Sequence, residues 1–150
     1  MHYSKYDVSV SMAYDYFEFI SVGSKGEILK AILFHQTEAN PSFYNCILGD
    51  VKEDGRIDAW VITNNGDMEK VLATVVAAAF VFSFQYPDCH IVLKGSNKIR
   101  TRLYRMAINV NYDTLIEDFD ISGMFEADEI IEHFEKGTVK DYDAFLVKRK

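Results

Sequence analysis

A single α+β domain is predicted, built as a four-stranded antiparallel meander, a long buried helix, then a strand, a basic-faced helix and C-terminal strands. Three features predict it. Four β-branched and aromatic segments separated by turn signals precede residue 64. A run without any charge then extends from Val71 to Tyr86. After it come a short apolar segment, a helical pattern and a last β-rich segment, so strands and helices are segregated rather than strictly alternating.

Residues 1–10, with Tyr3 and Tyr6, read as an N-terminal arm. Residues 14–22 are aromatic and β-branched and end at Gly23-Ser24-Lys25-Gly26, which makes a strand and a turn. Residues 27–37 return as the second strand, with Ile28, Lys30, Ile32 and Phe34 on one side and Leu29, Ala31, Leu33 and His35 on the other. A polar break at 38–41 leads to the third strand, 42–51. The Asp54-Gly55 pair, favoured in tight hairpins, introduces the fourth, 57–63, which contains Trp60.

Asn65 is placed to N-cap the long helix, and Asp67 and Glu69 suit the positive end of its dipole. With Val71, Leu72, Val75, Val76, Ala79, Phe80, Phe82 and Phe84 spread around it, this helix has no face to give to water and is expected to be buried. Its charge-free run is shorter than the ~20 residues that span a bilayer. Residues 90–94 form the fifth strand, and the crossover is right-handed if the fourth and fifth strands are parallel neighbours. The next helix begins near Lys98, with Ile99, Leu103, Met106 and Val110 as a core-facing stripe. Residues 112–119 continue it or form a separate helix capped at Asn111. Beyond them, 120–125 read as extended, 128–134 as helical and 144–147 as a final strand.

Composition narrows the function classes. With 49% apolar and 26% charged residues, 150 residues form one globular domain without long disorder. Cys46 and Cys89, far apart in apolar segments, read as reduced core thiols. Lys5, Asp7 and Asp15 interrupt any leader-like apolar run, so a cytoplasmic protein without membrane attachment is expected. A net charge of −7 argues against indiscriminate nucleic-acid binding, but the charge is uneven. Five bases and no acid fall between Lys94 and Arg105, whereas residues 113–143 carry eleven acids.

One constellation points to chemistry. Lys98, Arg102, Arg105 and Asn109 share a helix face at i, i+4, i+7 and i+11. The helix opens at Gly95-Ser96-Asn97, where free amides favour an anion, and Lys94 and Arg100 add charge. Asn64, Asn65 and Asp67 open the long helix at the same sheet edge if the two strands are parallel. Asn64, Asn65, Asp67, Ser96, Asn97, Lys98, Arg100, Arg102 and Arg105 are therefore the candidate anion site. The competing reading is that the bases form a solvated face, with Arg102 and Arg105 holding Glu117, Asp118 or Asp120. Tyr14 and Tyr16 offer a further stacking surface for bases.

No catalytic residue is assigned. The four histidines are scattered, no metal-ligand spacing occurs, and no cofactor is implied. The expected function is non-enzymatic binding of a polyanion such as nucleic acid, or of a phosphorylated ligand. Two alternatives stand beside it. One is a small ribonuclease-like effector of a toxin–antitoxin pair, with Asp67 as base and Arg102 or Arg105 stabilising the transition state. The other is a protein-interaction module.

The strings 17–26, 64–67 with 70–75, Gly95-Ser96 with 100–106, 134–137 and 144–150 carry a resemblance to a family of small bacterial proteins known only as a domain of unknown function. The resemblance runs from the arm at Tyr3 to the end and implies no activity. Four strands followed by a helix are also similar to the unit of Whirly-like single-strand binders, a likeness of topology alone.

Overall fold

The computed structural model describes residues 4–59 and 64–150. Its strands are β1 (Ser9–Val10), β2 (Tyr16–Gly23), β3 (Gly26–Gln36), β4 (Phe43–Val51), β5 (Ile57–Asp58), β6 (His90–Leu93), β7 (Phe119–Phe125), β8 (Ile130–His133) and β9 (Ala144–Arg149). Its helices are α1 (Met68–Gln85), α2 (Lys98–Val110) and the single turn α3 (Tyr112–Leu115). One mixed sheet runs in the order β1-β2-β3-β4-β6-β9-β7-β8, with β5 attached to β4. The α+β class and the opening meander are as the sequence predicts.

Strand alternation and register together build one buried sheet face. Phe17 pairs with Ile32 and Ile32 with Leu48; Phe34 pairs with Cys46, Cys46 with Leu93 and Leu93 with Phe145. Val71, Val75, Ala78 and Phe82 of α1 and Tyr104 and Ile108 of α2 pack in the same core. Phe82 is fully buried and stacks on Phe34 with centroids 4.4 Å apart. Each such ring contributes about 1.5–3 kcal/mol through burial.

Several expectations are corrected. The parallel neighbour of the fifth strand, β6, which the sequence leaves open, is β4, the third of the meander. β3 occupies one edge of β4, so β5 and β6 must share the other. The fourth strand is formed at Ile57–Asp58 and Ala59 is a bend; residues 60–63 of the expected segment, with Trp60, lie outside the described residues. Residues 128–134 are not helical: Glu129 turns the chain at φ 53°, and the β-branched pair Ile130-Ile131 lets β8 pair with β7. The N-terminal arm is integral, because Tyr6 is buried, stacks on Phe19 and donates its amide to the Thr74 hydroxyl, while Ser9–Val10 adds an edge strand.

Both long helices face differently from expectation. α1 buries one side on the sheet but leaves Val81 and Phe84 exposed, since a single helical layer covers only the inner side of each helix. α2 buries Thr101, Tyr104, Ala107 and Ile108, and the stripe Ile99, Met106 and Val110 points to solvent. Gly95 fixes this rotation. The strand-to-helix loop folds so tightly beneath α2 that a Cβ at Gly95 would lie 2.5 Å from the Thr101 amide nitrogen, and Thr101 Oγ1 accepts the Gly95 amide.

Candidate functional site

The structure divides the predicted site residues into three groups. Asn65 and Asp67 form the first, a polar knot beneath the β2–β3 hairpin. Asn65 is buried; its Nδ2 donates to Ser21 Oγ and to the Gly26 carbonyl, and its Oδ1 accepts the Lys25 amide at 2.7 Å. It is therefore not the N-cap of α1. That position is Asp67, whose carboxylate makes no cap hydrogen bond and instead accepts from Ser21 Oγ at 2.6 Å and from the Tyr6 hydroxyl. The hairpin comes this close because β2 ends in glycine: a Cβ at Gly23 would sit 1.9 Å from the Asn65 carbonyl oxygen.

Lys98, Arg102 and Arg105 form the second group, one face of α2 against the 137–143 segment. Arg102 grips Asp141 with two hydrogen bonds of 2.9 and 3.0 Å, and Arg105 donates to the Val139 and Lys140 carbonyls and to Asp141. Lys98 pairs with Asp143, and Asn109 donates to the Thr138 carbonyl. The bidentate bond from Arg102 holds the Asp141 carboxyl below the usual carboxylate range; the Lys98 bond does the same for Asp143, aided by the Glu126 amide. The acids serving Arg102 and Arg105 thus come from 141 rather than from 117–120.

Asn64, Ser96, Asn97 and Arg100 form the third group, and they line a cavity of about 780 Å³. Its place follows from the topology. Asn45, Cys46, Ile47 and Leu48 of β4 line the cavity beside and beyond the carboxyl end of β6, which pairs with β4 at Phe43–Cys46. α1 contributes Met68 and Leu72, and α2 contributes Ile99, Leu103 and Tyr104.

The cavity is polar at one end. Asn97 caps α2, accepting the Arg100 amide at 2.9 Å. First-turn amides have no intrahelical acceptor, so the positive end of a 13-residue helix meets the cavity here. The Arg100 guanidinium donates to Ser96 Oγ, which leaves the Ser96 hydroxyl proton to serve as a donor. Lys94, also in the wall, pairs with Glu126 at 2.7 Å. Elsewhere the wall is apolar, and burial pushes the Cys46 thiol up to about 12, so it acts there as a small hydrophobe.

Sequence reasoning found the polar end but missed the apolar wall. Met68, Leu72 and Leu103 have the spacing of core residues, and nothing local distinguishes a core side chain from one lining a void. Asp67 accepts from Tyr6 and Ser21, whereas Arg102 and Arg105 donate to the 139–141 segment, so these residues, which the ribonuclease-like alternative combines, serve separate hydrogen-bond groups. Tyr16 lies on the sheet face opposite the helices and is half-buried, and Tyr14 is exposed at a positive φ of 59°.

Residues 2–150 match a family model described as a family of unknown function, DUF6934. No curated protein and no solved structure matches the chain.

Proposed function

We propose, for a chain that belongs to this family of unknown function, a binding role: the cavity between α1, α2 and β4 takes a small ligand with an anionic, phosphorylated head and an apolar body. The observation that supports this reading is the composition of one cavity wall. The α2 N-terminus, Ser96, Arg100 and Asn64 meet at its polar end, and Met68, Leu72, Ile99 and Leu103 supply the rest. A volume of about 780 Å³ suits a nucleotide-sized molecule. A polyanion lying along Lys98, Arg102 and Arg105 is less well supported, because those groups already hold Asp141 and Asp143. The free thiols of Cys46 and Cys89 fit a cytoplasmic setting.

Thermal-shift titration with nucleoside 5′-monophosphates and the matching nucleosides tests the reading. Monophosphates should raise the midpoint, nucleosides should do so far less, and Leu103→Trp, which fills the cavity, should abolish the shift. Absence of any shift across the monophosphates, or an undiminished one in Leu103→Trp, would overturn it.

A further inference from the structure

The exposed stripe of α2 is the strongest unexplained feature of the surface. Ile99, Leu103, Met106 and Val110 have the spacing of a core-facing side, yet Ile99 is 68% exposed, Met106 56% and Val110 46%. α1 runs beside α2 from the same end. Met68 and Leu72 line the cavity with Ile99 and Leu103, and Val76 and Ala79 meet Ala107 and Ile108 further along. Beyond Glu69 and Lys70 in the first turn, the outward side of α1 passes through Ala73, Ala77 and Phe84, at i, i+4 and i+11, with no charge of its own; Phe84 is 73% exposed, with the Arg149 guanidinium 5.9 Å from its ring centroid. Two adjacent helices therefore turn apolar sides to solvent, which is more than the scattered single residues common on any surface.

We propose that this outer face of α1 and α2 is the interface of a homodimer. Helices of 18 and 13 residues are about 27 and 20 Å long and side by side about 20 Å across, the scale of a standard interface of ~800 Å² per partner. Charge selects the occupant. In a two-fold dimer a patch meets itself, so any charge within it meets its like. The stripe of α2 and the outward side of α1 between residues 71 and 86 contribute none, and Arg149, beside Phe84, already has Asp118 at 3.9 Å. A charged protein partner finds at the edges of these stripes only Arg102 and Arg149, which Asp141 and Asp118 already engage, and an anionic membrane surface repels the chain. The opposite face of the sheet is less suited, since Glu18, Asn45, Asp120 and Lys148 break up its apolar residues. The interface shares Ile99 and Leu103 with the cavity wall, so it is tested at Met106 and Phe84, which do not line the cavity.

Sedimentation equilibrium of the full chain from about 1 to 100 μM, the range in which modest interfaces dissociate, tests this. A dimer is expected, weakened about ten-fold or more by Met106→Glu and by Phe84→Gln. Both side chains are mostly exposed, so the far-UV circular dichroism of each variant should match the parent. Ile131→Glu, at an exposed position on β8, should leave the dimer intact. A monomer at every concentration, a dimer indifferent to both helix substitutions, or one broken by Ile131→Glu would overturn the proposal. So would a monomer that instead adheres to phosphatidylcholine vesicles.

Discussion

Asp67 and Asp141 each accept hydrogen bonds from two side chains, and each sits among residues that the sequence marks as an anion site. Their surroundings differ. Asp67 is half-buried beneath a hairpin, beside Asn65, which is 1% exposed, whereas the side chain of Asp141 is 50% exposed. In the first place water cannot replace a lost partner, so every donor left behind costs its desolvation energy. In the second, water and salt compete with each bond and weaken it. A carboxylate accepting from neutral hydroxyls therefore fastens the fold in one region, while one gripped by two guanidinium groups orients a loop in the other.

The sharpest way to break the comparison is at Gly23. An added methyl would enter the Asn65 backbone, which the knot holds from several sides, so Gly23→Ala should cost about 3 kcal/mol in chemical denaturation. Asn65→Ala should follow closely at about 2–3 kcal/mol, because it strands the Lys25 amide and the Gly26 carbonyl. If either variant is as stable as the parent, the knot is not a fastening.

Much of this architecture is legible in the sequence. The β2–β3 hairpin announces itself by alternation and a glycine turn, and the charge-free run marks α1. What is not legible depends on long-range geometry. Asn65 stands where an N-cap belongs, and only the approach of a hairpin some forty residues earlier turns its side chain away. The rotation of α2 is hidden for a different reason. Its outward stripe of isoleucine, leucine, methionine and valine is more apolar than its buried side of Thr101, Tyr104, Ala107 and Ile108, so periodicity selects the wrong face. The bases of α2 were legible as charges but not as partners of Asp141 and Asp143, which arrive from the far end of the chain.

At the exposed end of the comparison the effects should be small and titratable. The Asp143 carboxyl is held below its usual range by Lys98, so its contribution is complete above the unfolded pKa of about 3.9 and disappears as the pH falls toward the lower folded value. The acid limb of the stability–pH curve should consequently be shallower in Asp143→Asn than in the parent. Arg102→Ala should be smaller still, leaving the denaturation midpoint at moderate salt within experimental scatter. A large loss there would mean that the 137–143 segment is held chiefly through this arginine.

The parallel pairing of β4 with β6 also sets an order of events for the newly made chain. Hairpins such as β2–β3 and β7–β8 close over a few residues, but Phe43 cannot meet His90 until β5 and all of α1 have been accommodated between them. Closing that long loop is the entropically expensive step, and only afterwards does β9 find both β6 and β7 as neighbours. Pulse-labelled hydrogen exchange during refolding should therefore protect β2–β4 first and β6 with β9 together and late. The cavity lies at this junction, so it comes into existence only when the two halves of the sheet are joined.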